Sequence, residues 1–228
     1  MAGGFGSRMR PLVAAPIQKH LMPIGDRPMI WHILQTVIKG GADRIIVSLN
    51  GPHPELTMET ITKFDLDVPI QYNYSSTTVS GGPGRDLLLL QAWVQKDEPF
   101  VLTLADAYFT ATLDLRGVHA PHIWTMPIEA GDDPSKYGQV VCQGDRVTHI
   151  WEKPAEQQSD IIQAAMWKLP PDVFRIAERI CAETDGEVQV GDITKHYVLE
   201  GRMTHTRIAK RSYLDCGTPS AWRAANRL

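Results

Sequence analysis

The chain contains few cysteines and no long apolar run, and these absences exclude several classes of protein. Its 3 cysteines among 228 residues show no C-x-x-C spacing, so neither a disulfide framework nor a thiolate zinc site is indicated. No apolar run reaches the roughly 18 residues that a membrane-spanning helix requires. No charged segment followed by an apolar one marks a signal peptide. We therefore expect a cytoplasmic protein with no membrane partner.

The chain also lacks an excess of basic residues. Lys and Arg number 23 against 26 Asp and Glu, whereas surfaces that bind nucleic acid are usually basic. We therefore expect no nucleic-acid partner. The eight histidines form no H-x-x-x-H pair, which argues against a histidine metal site. A hydrophobic content of 43% and a charged content of 21% are those of a globular protein with a sizeable core.

What the chain does have is a glycine-rich segment, AGGFGSRMRPL, followed at once by cations. Its glycines let main-chain N–H groups approach a ligand closely, and the cations supply charge, as the binding of a polyphosphate requires. An ordinary glycine-rich loop is one alternative. A dinucleotide-binding G-x-G-x-x-G is another, but it needs a preceding strand and a glycine in place of Met9.

The segment resembles the signature of the sugar-1-phosphate nucleotidyltransferases, roughly L-A-G-G-x-G-T-R-L-x-P-L-T followed by P-K. Ser7 replaces threonine, and Gln18 replaces the proline before Lys19. The resemblance implies that Arg8 and Lys19 are catalytic. It also implies a nucleotide-binding set consisting of Ala2, Gly3, Gly4, Gly6, Ser7 and Arg8.

Hydrophobic periodicity predicts an α/β chain. Apolar residues from 29 to 37 recur at helical spacing, and Gly40 and Gly41 end that helix. Apolar runs at 45–49, 69–74 and 100–105 predict strands that alternate with helices, one of which covers 86–94. The second half predicts a hairpin at 138–142 and 146–151, a strand at 161–169, helices at 171–180 and 192–199, a strand at 204–209, and a closing helix capped by Thr218.

We predict a Rossmann-like three-layer α/β/α fold with a mixed, mostly parallel sheet, similar to that of the nucleotide-diphospho-sugar transferases. Residues 1–228 are predicted to form one domain, with a nucleotide-binding half at 1–115 and a sugar-phosphate-binding half at 116–228. In the resembled family, an apolar strand leads directly into the glycine-rich segment. Met1 stands where the last residue of that strand would be, so we expect the first strand to lie upstream of this sequence.

Two aspartates are candidate metal ligands. Asp106 follows a predicted strand in LTLADAYF, and Asp215 lies in SYLDCGTPSAW. The resemblance implies that both hold a divalent cation and that Asp106 is catalytic. Oxygen ligands in small number suit Mg²⁺, which keeps several waters. A capping role for Asp106 and an Asx-turn role for Asp215 are the structural alternatives.

The resemblance further implies an acceptor site formed by Gly138, Glu152 and Lys153, in which the lysine meets the phosphate and the glutamate meets sugar hydroxyls. Lysine suits this role because it is a compact point charge. In the resembled family, a glycine-containing loop after the second strand contacts the base of the nucleotide. The loop at 80–84 corresponds to it, so the resemblance makes Gly81 and Gly82 nucleotide-binding candidates. Trp167 lies in an apolar strand pattern and is predicted to pack in the core.

The resemblance therefore implies transfer of a nucleotidyl group from an NTP to a sugar-1-phosphate or a sugar-like cyclitol phosphate, with release of pyrophosphate. GTP with a heptose-type phosphate is one such pair. A catalytically silent binding subunit and a glycosyltransferase that uses a nucleotide sugar are the alternatives. Whether identical chains associate is left open.

Overall fold

The computed structural model describes residues 1–2, 9, 18–49, 51, 53–74, 81–128 and 133–227. Its strands are β1 (Pro23–Ile24), β2 (Arg27–Pro28), β3 (Ile45–Leu49), β4 (Ile70–Tyr74), β5 (Phe100–Thr103), β6 (Ala107–Phe109), β7 (His122–Pro127), β8 (Gln139–Gln143), β9 (Arg146–Trp151), β10 (Ile161–Leu169), β11 (Thr204–Arg207) and β12 (Tyr213–Asp215). Its helices are α1 (Met29–Lys39), α2 (Pro54–Ile61), α3 (Pro83–Leu88), α4 (Val173–Glu183), α5 (Val190–Leu199) and α6 (Pro219–Ala225), with short 3₁₀ turns at Lys19–Leu21, Gln91–Trp93 and Pro134–Lys136.

The chain forms two compact units, each built from discontinuous segments. The first unit consists of residues 1–78, 104–116 and 213–228, and the second consists of residues 79–103 and 117–212. The prediction of one domain with a nucleotide half at 1–115 and a sugar-phosphate half at 116–228 stays a prediction.

In the first unit, β3 and β4 pair in parallel, and β6 pairs with β12 in antiparallel orientation. Helix α1 buries its apolar face and ends at Gly40, as its spacing predicts. Helix α6 begins at Pro219 and is capped by Thr218, whose hydroxyl accepts from the main-chain N–H of Ala221 at 3.3 Å, so the predicted cap is confirmed.

The first two residues lie beside the end of β3. The N–H of Ala2 donates to the carbonyl of Ser48 at 2.8 Å, and Ala105 donates to the carbonyl of Met1 at 2.9 Å. Ala2 is 1% exposed and forms a parallel bridge with Leu49. The main chain that enters the glycine-rich segment is therefore anchored on both sides. The expected upstream strand stays a prediction.

The second unit contains a mixed sheet in the order β5-β10-β7-β11-β9-β8. This sheet differs from the mostly parallel arrangement that we expected, since β7–β11 is its one parallel pair among the described strands. The reason is the long strand β10, which runs antiparallel to both β5 and β7. Helices α3, α4 and α5 pack on one another, and α5 also packs on β9. The mixed α/β class is confirmed.

Helix α3 begins earlier than predicted. Its first residue is Pro83, and Gly82 before it has φ +79°. Proline suits the first turn of a helix because its missing N–H would have no intrahelical partner there. The proline that interrupts the predicted glycine loop is therefore the start of the helix, and the helix ends at Leu88 rather than continuing to residue 94.

Candidate active site

Most of the glycine-rich segment lies outside the described residues. This applies to Gly3, Gly4, Gly6, Ser7 and Arg8, so their predicted roles stay predictions. Two residues of the segment, Ala2 and Met9, are described. Ala2 is fixed by its bond to Ser48, and the buried side chain of Met9 packs against Met22 and Trp222.

Lys19 and Asp106 form an ion pair, although 87 positions separate them in the chain. Lys19 lies in a 3₁₀ turn, and Asp106 lies in the turn just before β6. Their side chains are only 19% and 9% exposed, so water screens this pair less than a surface pair. The structure therefore joins the predicted phosphate-binding cation to the predicted metal ligand.

Asp215 lies on the strand next to Asp106. Strand β12 pairs with β6 so that Asp215 is opposite Ala107, and the N–H of Cys216 donates to the carbonyl of Asp106 at 3.0 Å. One carboxylate oxygen of Asp215 accepts from the N–H of Gly217 at 2.9 Å, which is the Asx-turn contact that we weighed. The two predicted metal ligands therefore lie at one end of a small sheet, Asp215 as the last residue of β12 and Asp106 directly before its partner strand β6.

The thiol of Cys216 lies close enough to both aspartates for their negative charges to affect its pKa. Burial, followed by the negative charges of Asp215 and Asp106, raises its pKa to about 12. The thiol is therefore protonated at neutral pH in the metal-free protein. The hard oxygen ligands are the two carboxylates.

This pair of carboxylates fits a divalent cation of the Mg²⁺ type. Mg²⁺ typically takes one or two protein carboxylates and completes its shell with water and substrate phosphate. The ammonium of Lys19 already rests on Asp106, which shows that the position accommodates positive charge. No cluster of three or more acidic, histidine or cysteine groups occurs among the described residues, so a cage made entirely of protein ligands is not found there.

His20 adjoins this pair and was not predicted from the sequence. Its imidazole is 1% exposed and shares a 2.8 Å hydrogen bond with the hydroxyl of Thr57. Burial, followed by the positive charge of Lys19, lowers its pKa to about 3. His20 is therefore neutral at physiological pH, and Lys19 is the cation of this turn. The signal that sequence reasoning missed was a histidine directly after the motif lysine.

In the second unit, Lys153 stands in an unusual main-chain conformation. Its φ is +45°, a region that residues with a side chain seldom occupy, and Pro154 follows it. Its ammonium donates to the side-chain carbonyl of Gln189 at 3.0 Å. Such local strain is found most often at functional sites, where the surrounding structure maintains it.

Glu152 is a partly buried carboxylate held by one neutral side chain. The amide nitrogen of Gln163 donates to its Oε2 at 2.8 Å. Burial raises the pKa of Glu152 to about 7. The charge of Asp192 also raises this pKa, whereas the charge of Lys153 and the hydrogen bond from Gln163 lower it. The predicted acceptor residues Gly138, Glu152 and Lys153 therefore lie in one unit, with the first two linked through Gln163.

Gly138 and Gly191 allow this link to form. A Cβ atom on Gly138 would lie 1.8 Å from the amide nitrogen of Gln163, and one on Gly191 would lie 2.1 Å from Oε2 of Glu152. Sequence reasoning predicted Gly138 but missed Gln163 and Gly191. A signal for Gln163 was available, because it is the one polar residue in the apolar run from Ile161 to Trp167.

The predicted base-contacting glycines form part of a local main-chain pairing. Gly81 accepts at its carbonyl from Val188 at 2.8 Å, and Gly84 donates to the carbonyl of Val188 at 2.7 Å. A Cβ atom on Gly82 would lie 2.7 Å from that same carbonyl oxygen. The close approach of the main chain at Val188 therefore explains, without any ligand, why glycine occupies these positions. Binding of nucleotide by Gly81 and Gly82 stays a prediction.

The chain belongs to the nucleotidyl transferase family, whose family model matches residues 1–228. Among curated proteins, it is similar to mannose-1-phosphate guanyltransferase of Saccharomyces cerevisiae, with 29% identity over 186 residues that cover 78% of this chain and 51% of that protein. The corresponding enzyme of Emericella nidulans is 30% identical over 186 residues, which cover 78% and 50%. The chain therefore spans about half the length of the curated relatives it matches.

Solved structures share the fold. A glucose-1-phosphate thymidylyltransferase of Bacillus anthracis, in complex with sucrose, superposes with a TM-score of 0.84 at 24% identity, covering 99% of this chain and 92% of that one. A UDP-glucose pyrophosphorylase complexed with UDP-glucose gives a TM-score of 0.80 at 18% identity, covering 99% and 95%. These likenesses show that the chain has the same fold as these two structures. Within the described residues, no helix has the length and apolar character needed to cross a membrane.

Proposed function

We propose that the chain transfers a nucleotidyl group from an NTP to a sugar-1-phosphate, or to a sugar-like cyclitol phosphate, and releases pyrophosphate. The observation that carries the proposal is the arrangement of Lys19 on Asp106 with Asp215 on the adjacent strand. Cations and paired carboxylates at one place are what the reaction needs, since its protein chiefly positions reactants and neutralises charge. The family and the fold support the same reaction.

Each residue has a distinct task in this proposal. Arg8 and Lys19 neutralise phosphate oxygens of the NTP, the glycine-rich main chain from Gly3 to Ser7 donates N–H groups to them, and Ala2, whose own N–H is bonded to Ser48, holds the start of that segment in place. Asp106 and Asp215 would hold Mg²⁺, which supplies charge neutralisation at the phosphates when bound. These residues all belong to the first unit, and their roles agree with the anchoring of Ala2 and the burial of Asp106.

The acceptor side uses residues of the second unit. Lys153 pairs with the phosphate of the acceptor, whose oxygen is the nucleophile. Glu152 accepts hydrogen bonds from acceptor hydroxyls, and the main chain at Gly138 contributes to the same side. GTP is the proposed nucleotide, and mannose-1-phosphate and a heptose-1-phosphate are the first acceptors to test, because the curated relatives are mannose-1-phosphate guanyltransferases. A cytoplasmic location belongs to the same proposal.

The test is pyrophosphate release from a panel of the four NTPs with mannose-, glucose-, heptose- and inositol-1-phosphates, in the presence of Mg²⁺. Asp106→Asn and Asp215→Asn should each lower turnover by roughly two orders of magnitude or more, because each removes a charge that stabilises the transition state. Asp145→Asn, in the exposed turn between β8 and β9, is the matched control and should retain full turnover.

The alternatives give different products. A silent binding subunit would bind NTP and release no pyrophosphate from any pair. A glycosyltransferase would consume a ready-made nucleotide sugar and release a nucleoside diphosphate. Either outcome, or full activity in both aspartate variants, would contradict the proposal.

A further inference from the structure

Gln163 is a polar residue in the middle of the apolar strand β10, and both ends of its amide are bonded. It is 6% exposed, between the buried residues Ile162 and Ala164. The indole N–H of Trp167 donates to its carbonyl oxygen at 3.1 Å, and its amide nitrogen donates to Glu152 at 2.8 Å. A buried amide with both ends satisfied has one orientation, because reversing it would break both bonds.

The indole fixes which end of the amide faces Glu152. An indole nitrogen can only donate, so it requires the carbonyl oxygen of Gln163 and directs the NH₂ group towards the carboxylate. The irregularity of β10 between Ala164 and Trp167 lies within the segment that connects the two side chains. The donor that meets Glu152 is therefore set by Trp167.

Gln163 and Glu152 pack closely against two glycines, Gly138 and Gly191. The main-chain N–H of Gln163 donates to the carbonyl of Gly138 at 2.9 Å, which fixes the glycine against the strand. Any side chain on Gly138 or Gly191 would overlap Gln163 or Glu152. Oε2 of Glu152 is thus engaged within the protein, whereas Oε1 makes no hydrogen bond to any residue that the structure describes.

We infer that Gln163, oriented by Trp167, is a positioning residue for the acceptor: it holds Oε2 of Glu152 and leaves Oε1 to accept a hydroxyl of the sugar-type phosphate. The inference rests on the proposed function for the identity of that ligand. It assigns to β10 a part in acceptor selectivity that the glycine-rich segment and the two aspartates do not provide.

The electrostatics of the pair support the inference. Burial raises the pKa of Glu152 to about 7, and the charged groups that act on it are Lys153, which lowers the pKa, and Asp192 of α5, which raises it. The bond from Gln163 also lowers it. Removing that bond should leave a larger fraction of Glu152 protonated near neutral pH, and a protonated carboxyl is a poorer hydroxyl acceptor.

The first experiment is a ¹³C NMR titration of the glutamate carboxyl groups, which requires no substrate. The Glu152 signal is assigned by its loss in Glu152→Gln. Gln163→Met retains length without a donor, and it should raise the Glu152 titration midpoint enough to make proton affinity about threefold higher or more, as loss of one hydrogen bond implies. Trp167→Phe should shift the midpoint in the same direction by a smaller amount.

The control is Thr204→Val, which removes a partly buried hydroxyl on β11 that shares a 2.8 Å hydrogen bond with His122. It disturbs the same sheet without touching Glu152, so the midpoint should not move. An unchanged midpoint in folded Gln163→Met would overturn the inference, as would an equal shift in the control. If circular dichroism shows that Gln163→Met does not fold, Trp167→Phe decides by the same criterion.

The second experiment is kinetic. With the best pair from the panel, Gln163→Met should raise the KM for the sugar phosphate by about tenfold at pH 7, with the KM for NTP changed less than about twofold. Equal effects on both substrates would contradict a role on the acceptor side. If the wild-type protein releases no pyrophosphate at all, the proposed function fails, and the NMR titration still decides whether Gln163 positions Glu152.

Discussion

Replacing Lys19 by methionine should increase the affinity of the nucleotide-free protein for a divalent cation. In the structure, the Lys19 ammonium rests on Asp106 and so occupies a lone pair that a metal ion would use. A cation that binds Oδ2 of Asp106 therefore competes with this ammonium. Methionine keeps the length and most of the packing of lysine and removes the charge.

The size of the effect follows from the burial of the pair. Fully exposed ion pairs contribute about 0–1 kcal/mol, and hydrogen bonds to charged groups contribute about 1.5–3 kcal/mol. Side chains that are 19% and 9% exposed fall between these cases. We therefore expect about 1–3 kcal/mol, which corresponds to roughly 5- to 150-fold tighter metal binding in Lys19→Met.

The assay is the electron paramagnetic resonance signal of free Mn²⁺, titrated with protein in the absence of nucleotide. Lys39→Met is the control, because it removes an exposed lysine at the end of α1. The double variant Lys19→Met with Asp106→Asn should lose the gain, since the ligand itself is weakened. Binding in Lys19→Met that is no tighter than in the wild-type protein would refute the reasoning.

Three further predictions concern the second unit. Arg85→Met removes hydrogen bonds to three main-chain carbonyls between residues 181 and 186, so the free energy of unfolding in urea should fall by roughly 1–3 kcal/mol; a change under about 0.5 kcal/mol would contradict this. Gly191→Ala places a methyl group on Glu152 and should raise the sugar-phosphate KM while calorimetry shows unchanged NTP binding. In Glu152, the folded-state pKa of about 7 exceeds the ordinary value of 4.5, so its contribution to stability is present below pH 4.5 and is lost as the pH rises through 7. The stability of the wild-type protein relative to Glu152→Gln should therefore fall by roughly 1–3 kcal/mol between pH 4.5 and 8, and a flat or rising difference in urea unfolding would show that the carboxyl is not perturbed.

Local signals predicted the local structure well. The bounds of β10 and the cap at Thr218 were predicted from periodicity and from residue type, and both are confirmed. The start of α3 was missed because Pro83 was interpreted as part of a loop, although proline favours the first helical turn. Propensity and capping act over a few residues, so a sequence displays them directly.

In the candidate site, too, individual residues were predicted from local motifs, whereas the contacts between them were not. Lys19, Asp106 and Asp215 were predicted as separate motif positions. The ion pair of Lys19 with Asp106 joins positions that are 87 apart, and the adjacency of Asp106 and Asp215 depends on the pairing of β6 with β12, which are more than 100 residues apart. The bond between Glu152 and Gln163 likewise depends on tertiary packing. The sheet of the second unit is less parallel than expected for the same reason, since strand order and direction are set by contacts between distant segments. Such contacts leave no mark in a local pattern.

The pairing of residues 81–84 with Val188 has a consequence for the redesign of this protein. The loop predicted to read the base is bonded through its main chain to Val188, and the next residue, Gln189, bonds to Lys153 on the acceptor side. A loop transplanted alone from a relative would meet a mismatched backbone at Val188 and would shift the support of Lys153. An attempt to exchange nucleotide preference should therefore move residues 81–85 and 184–189 together as one module, and selectivity for the two substrates should be expected to change jointly rather than one at a time.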